Sequence, residues 1–97
     1  MRVVLTPLAR AEYVEAVDWY ARQGPGLAKR IRADFRAVRL RIVANPLQFP
    51  AAIRDTRRAL LRDFPYVVIF RLSGDVAEVI AFFNTSRDPR EWQRRAQ

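Results

Sequence analysis

Residues 57 to 84 read as three strand-length runs with almost no chain between them, and that arrangement leaves few folds open. The first, residues 57 to 63, alternates imperfectly, with Arg58, Leu60 and Arg62 on one side and Ala59 and Leu61 on the other. The second, residues 66 to 72, is β-branched and aromatic, the composition of a central strand. The third, residues 76 to 84, is nearly continuously apolar. Ser73-Gly74-Asp75 makes a tight hairpin turn between the last two. Phe64-Pro65 separates the first two and puts its proline at a strand end, where the missing N–H costs no ladder bond. Strands joined this closely pair antiparallel, and the sheet then needs a covering layer.

That layer lies upstream. Residues 2 to 5 form a short β-branched run that stops at Thr6-Pro7, where threonine as N-cap and proline at the first helical position start a helix. Ala9, Tyr13, Ala16, Val17 and Tyr20 recur at spacings of three and four, while Arg10, Glu12, Glu15, Asp18 and Arg22 take the opposite face. Gly24-Pro25-Gly26 ends this helix. A second helix carries Leu27, Ile31, Phe35, Val38 and Ile42 on one face. Its outer face is basic, with Lys29, Arg30, Arg32, Arg36, Arg39 and Arg41 against Asp34 alone, and Asn45-Pro46 breaks it. The short turn between the helices makes them an antiparallel hairpin. Residues 47 to 56 read as a loop with at most one short edge strand. Asp88-Pro89-Arg90-Glu91 has the pattern of a capping box and predicts a short helix through Arg95. The expected architecture is α+β: two layers, β-α-α-β-β-β, with a helical hairpin on an antiparallel sheet and a short C-terminal helix.

At 97 residues the chain holds one domain, spanning residues 1–97. Nothing in it approaches the roughly 18 uninterrupted apolar residues of a membrane span. It contains neither cysteine nor histidine, which removes disulfides, thiolate metal sites, thiol nucleophiles and the commonest general base. A cytoplasmic protein without metal or other cofactor is the expectation. The net charge of +8 rests on seventeen arginines and one lysine, and it favours a polyanionic partner.

Catalytic motifs are absent. Gly24, Gly26 and Gly74 form no phosphate loop, and Glu12, Glu15, Asp55 and Asp63 make no carboxylate pair suited to acid–base work. The arginines that edge the strands are the stronger signal: Arg57, Arg58 and Arg62 on or before the first run, Arg71 at the end of the second, Arg87 and Arg90 after the third. Gathered on one open face, they would bind phosphate or stabilise a pentavalent phosphoryl transition state; the alternatives are pairing with Asp63, Asp75, Glu78 and Glu91 or remaining solvated. Trp19-Tyr20 sits beside the first helix's apolar stripe and is expected to pack in the helical hairpin. Trp92 is the one large apolar residue of the last turn and is expected to anchor the tail to the sheet.

The order of these pieces resembles the RelE/ParE family of bacterial toxins. The resemblance covers nearly the whole chain. It runs through Thr6-Pro7-Leu8-Ala9 to Glu12-Tyr13, Ala16-Val17-Asp18-Trp19-Tyr20, Asn45-Pro46, Arg57-Arg58, Phe64-Pro65-Tyr66, Phe70-Arg71, and Arg87-Asp88-Pro89 with Trp92. It implies the toxin of a type II toxin–antitoxin module, neutralised by a small antitoxin that wraps around it. RelE-like members cleave mRNA in the ribosomal A site with basic residues and, in some, a glutamate, histidine or tyrosine. ParE-like members lack that set and inhibit DNA gyrase. By this resemblance Arg58 or Arg62 falls near the middle-strand arginine, Arg87 near the C-terminal one, and Asn84 at the last-strand position where histidine often stands. As a nuclease the chain would rely on Arg58, Arg62 and Arg87. As a binding protein it would present Arg57, Arg58, Arg62, Arg71, Asn84, Arg87 and Arg90. Asn84 does not titrate, and arginine is a poor proton donor. The residue set therefore favours the ParE-like branch and leaves the enzyme question open, with a degenerate, complex-forming member as a third reading.

Overall fold

The computed structural model describes residues 1–97 in the order β1 (Arg2–Leu5), α1 (Pro7–Gln23), α2 (Leu27–Ala44), β2 (Thr56–Leu60), β3 (Tyr66–Ser73), β4 (Val76–Asn84) and α3 (Arg90–Gln93). Short 3₁₀ turns at Pro46–Gln48 and Arg94–Ala96 follow α2 and α3. The start and stop signals act as expected. Thr6 Oγ1 accepts from the Ala9 N–H at 3.1 Å with Pro7 in the first turn, and Asn45 closes α2. Ser73 pairs with Val76, which leaves Gly74-Asp75 as a two-residue turn, and Gly74 takes the positive φ of 58° that this turn requires. No helix is long and apolar enough to cross a membrane.

The sheet order is β1-β4-β3-β2. The β2–β3–β4 meander is antiparallel as the sequence predicts, but β1 joins β4 in parallel, from Arg2 opposite Val76 to Leu5 opposite Val79, so the sheet is mixed. Four residues carry no directional signal of their own. Burial of β4 from Val79 to Phe83 calls for a neighbour on each side but does not set that neighbour's direction.

β4 is apolar on consecutive residues because both of its faces are covered, and a bulge shifts its alternation midway. Ile69 pairs with Ala81 and Phe70 with Val79, so Ile80 is the extra residue. Before the bulge Ala77 and Val79 face the helices; beyond it Phe82 does, while Ile80, Ala81 and Phe83 join the other face. The helix-side core packs Ala9, Ala16 and Val17 of α1 and Ile31, Phe35, Val38 and Ile42 of α2 onto Val68, Phe70, Val79 and Phe82. On the opposite face Val67, Ile69, Ile80, Ala81 and Phe83 pack with Trp92 and Ala96, so Trp92 does anchor the tail.

β2 stops at Leu60 rather than running to residue 63, because the register that pairs Leu60 with Val67 leaves only the Phe64-Pro65 corner beyond Leu61. Asp34, expected on the solvated face of α2, is only 8% exposed. Its Oδ1 accepts from the Arg62 N–H at 3.0 Å and its Oδ2 from the Asp63 N–H at 2.7 Å, so it pairs two corner donors that no strand partner reaches. Asp34→Ala strands both, and it should lower unfolding free energy by about 2 kcal/mol in urea titration. A loss within error would mean that water replaces the carboxylate.

The tail departs from its expected cap in one detail. Asp88 Oδ1 accepts from the Arg90 N–H at 3.0 Å as an N-cap would, but Glu91 pairs with the Arg87 side chain instead of reaching back. The guanidinium of Arg90, chelating the Asp88 carboxylate, holds that carboxyl below its usual range. Any stabilisation from this pair is present above the ordinary aspartate pKa and is lost as pH falls through the lower folded value.

Candidate functional site

The arginines that edge the strands do not all gather on one face. Strand alternation separates Arg57 from Arg58. Arg57 Nη1 donates to the Phe49 carbonyl at 2.7 Å and braces the loop before β2. Arg71 serves the tail: Nη2 donates to the Arg95 carbonyl at 3.1 Å, with Glu78 at 3.6 Å and Asp55 at 4.0 Å from its guanidinium. Arg90 is engaged by Asp88, and Arg62 is exposed on the α2 side beside Asp34 and Arg30. That leaves Arg58, Asn84 and Arg87, which do come together.

They line a groove of about 690 Å³ at the β2 end of the tail-covered sheet face. Val67, Ile69 and Phe83 form its apolar floor. Arg58 and Leu60 rise from β2, Trp92 and Gln93 form the far wall, and the groove reaches past the β2 edge to Arg41 and Gln48. Leu60 is 62% exposed, an unusual degree for leucine on a strand. Arg87 lies 4.8 Å from the centre of the Phe83 ring, a cation–π contact that orients its guanidinium at the rim. Arg41 is held over Phe49 at 4.9 Å in the same way.

Asn84 is a turn residue as well as a lining one. Its Oδ1 accepts from the Ser86 N–H at 2.9 Å and the Ser86 hydroxyl at 2.7 Å, an Asx turn that steers the chain out of β4. Only its amide N–H groups are left to act outward, and they donate. The groove therefore offers guanidinium and amide donors over an apolar floor, and no carboxylate, imidazole or phenol lines it.

Asn84 and Arg87 also border a second cleft, of about 510 Å³, between α1 and the Pro65-Tyr66 corner. Trp19, Tyr20, Tyr66 and Phe82 supply its rings, with Glu12 and Glu15 beside them. Tyr20 packs edge-on against Phe64, as expected of a hairpin aromatic, whereas Trp19 stays 48% exposed against Tyr20. Burial raises the Tyr20 phenol above its ordinary value, and neighbouring Tyr66 pushes the same way, so it stays protonated at neutral pH.

The sequence reading missed one constellation. β1 covers only the first half of β4, so the β4 edge beyond Val79 has no strand partner. Glu12 Oε1 accepts from the Phe82 N–H there at 3.1 Å, and Arg95 Nη1 donates to the Ile80 carbonyl at 3.1 Å. The two side chains meet through a doubly bonded ion pair, 2.7 Å from Nη1 to Oε1 and 2.9 Å from Nη2 to Oε2. A clamp from α1 and the tail thus finishes the sheet edge. The signal was present: Glu12 is three residues after Ala9 and four before Ala16, inside the apolar stripe, just as Asp34 lies between Ile31 and Val38. No group of three or more carboxylate, histidine or cysteine side chains is placed to hold a metal ion.

A helical hairpin on one face of a β1-β4-β3-β2 sheet is a fold this chain shares with a chain of a solved structure described as "Chromosomal ParDE TA system from P. aeruginosa". The two superpose with a TM-score of 0.74 at 20% sequence identity, over 87% of this chain and 95% of that one. No curated protein matches the sequence. Residues 3–89 match the family model described as the ParE toxin of the type II toxin–antitoxin system parDE. The chain belongs to the ParE toxin family.

Proposed function

We propose that this toxin arrests growth by binding DNA gyrase through the Arg58–Asn84–Arg87 groove, and that a cognate antitoxin neutralises it by covering that groove. The observation that supports binding over cleavage is the groove's lining: guanidinium and amide donors with no group of suitable pKa to accept a proton. Cleaving RNA through its 2′-hydroxyl needs such an acceptor. The runner-up, a RelE-like ribonuclease acting on ribosome-bound mRNA, would depend on electrostatic stabilisation by Arg58 and Arg87 alone. Arg62, the third arginine of that scheme, lies outside the groove.

The antitoxin that fits this surface is an amphipathic, partly acidic segment. Its apolar side chains would cover Leu60, Val67 and Phe83, and its carboxylates would meet the arginines of the rim. Such a segment orders on binding. Gyrase as target places the protein in the cytoplasm. Expressed without antitoxin, the protein should trigger the DNA damage response and filamentation, and co-expression of a cognate antitoxin should relieve both. Cuts in A-site mRNA with no damage response would move the assignment to the ribonuclease. Unimpaired growth would favour a degenerate member.

A further inference from the structure

The groove uses only part of the chain's charge. α2 carries six exposed cations, Lys29, Arg30, Arg32, Arg36, Arg39 and Arg41. None of them takes part in the ion pairs of the fold, which engage Arg71, Arg87, Arg90, Arg95 and the terminal amine. The helix's single carboxylate, Asp34, is turned inward onto the Arg62 and Asp63 amides and neutralises nothing on the surface. At about 100° per residue, Lys29, Arg32, Arg36 and Arg39 fall within one stripe, and at 1.5 Å per residue it runs about 15 Å. Arg30 and Arg41 fall off the stripe and lean on Phe64 and Phe49. Arg2 of β1 shares a shallow surface with Arg36 and Arg39 and continues the row. The field is collective: Arg32, Arg36 and Arg39 together oppose the upward push that burial gives the Tyr13 phenol.

We infer that this row binds the phosphate backbone of duplex DNA without reading its sequence, on a face separate from the groove. Each DNA strand presents a phosphate about every 3.4 Å along the axis, so a 15 Å row spans about four, one for each cation from Lys29 to Arg39. The row has no Asn, Gln, Ser or Thr to pair with base edges, and its exposed neighbours Ala33 and Leu40 are apolar, so what it offers is chiefly charge to the phosphates. Single strands are disfavoured because the one aromatic residue of α2, Phe35, is buried and offers no ring for a base to stack on. Lysine and arginine meeting phosphate by charge alone is the pattern of sequence-independent association.

The test titrates the full chain against short fluorescent duplexes of two unrelated sequences, by anisotropy, between about 50 and 200 mM salt. The two duplexes should bind equally, and the log of the association constant should fall with log salt at a slope of about −3.6, as four neutralised phosphates require. Replacing Lys29, Arg32, Arg36 and Arg39 together by glutamine should weaken binding at low salt by at least about tenfold and flatten the slope. Should that fourfold variant fail to fold, single Arg32→Gln and Arg36→Gln variants, at exposed helix positions, should each lower the slope by about 0.9. Arg90→Gln, far from the row and already paired with Asp88, should bind as the parent does. No binding at low salt, wild-type binding by the row variants, or a strong preference for one duplex would each overturn the inference. So would tighter capture of single-stranded DNA or poly-glutamate than of duplex, which would make the face a site for those partners. None of these readouts involves gyrase, so failure here leaves the groove's assignment standing, and the reverse holds as well.

Discussion

Trp92→Ala is expected to lower the unfolding free energy by about 4 kcal/mol, the range found when a large aromatic is removed from a core. Trp92 is 6% exposed and sits on Val67, Ile69, Ile80, Ala81 and Phe83, the sheet face that α1 and α2 do not reach. With a total stability of about 5–15 kcal/mol expected for a domain of this size, the loss is a large share of the whole. The effect should also be coupled. Trp92 holds the tail down from the middle of the sheet, while Arg95 holds it at the β4 edge through Glu12 and the Ile80 carbonyl. Removing either partner of that enclosed ion pair leaves the other charge and an edge N–H or carbonyl unmatched, at a cost of about 2 to 3 kcal/mol for a pair still partly open to water. Once Trp92 is gone the tail no longer positions Arg95, so Trp92→Ala with Arg95→Ala should cost less than the two single losses added. Strict additivity in urea denaturation would mean that the tail is not one cooperative unit.

Charge reversal in the groove should have the largest functional effect. The double variant Arg58→Glu, Arg87→Glu is expected to weaken target binding by at least about a hundredfold, since each close interfacial charge contact contributes about 2 kcal/mol or more. Cells expressing it without antitoxin should then form colonies as cells carrying an empty vector do. The fold should survive, because both side chains are exposed and the single ion pair lost, Arg87 with Glu91, is a surface pair of small weight. Reversal at Arg57 and Arg71 would not be a comparable test. Those guanidiniums hold the Phe49 and Arg95 carbonyls, so their loss damages the fold as well. Toxicity that persists in the folded Arg58→Glu, Arg87→Glu variant would remove the groove from the mechanism.

Much of this architecture is legible in local chemistry. Thr6-Pro7, Gly24-Pro25-Gly26, Asn45-Pro46 and Gly74-Asp75 punctuate the chain where the elements begin and end, because proline restricts the backbone, glycine admits a positive φ, and Thr6 and Asn45 cap it. The apolar runs at 66 to 72 and 76 to 84 mark inner strands because both their faces are covered. What was not legible depends on partners distant in sequence. β1 pairs in parallel with β4, more than seventy residues later, and four residues do not announce that partner. The bulge at Ile80, which puts Ile80 and Ala81 on one face, is set by pairing with β3. Asp34 and Glu12 read as solvated helix acids until the amides of Arg62, Asp63 and Phe82 come to meet them.

The candidate site was legible to a lesser degree. Arg58, Asn84 and Arg87 were expected on one face and share the groove, but Arg57 and Arg62, adjacent and near in sequence, do not. One residue of offset puts Arg57 on the other side of the sheet, and the corner after Leu61 leaves Arg62 beside Asp34 and Arg30. Asn84 stands where a titrating residue would serve a nuclease, and its side-chain oxygen is occupied in an Asx turn. Leu60 and Trp92, which give the groove its apolar character, were read only as strand and anchor residues.

The most direct test of the gyrase assignment is supercoiling of relaxed plasmid by purified DNA gyrase in the presence of this toxin. Supercoiling should be inhibited by the parent protein at saturation and unaffected by the folded Arg58→Glu, Arg87→Glu variant at the same concentration. Full supercoiling in the presence of saturating parent protein, folded and free of antitoxin, would contradict the account.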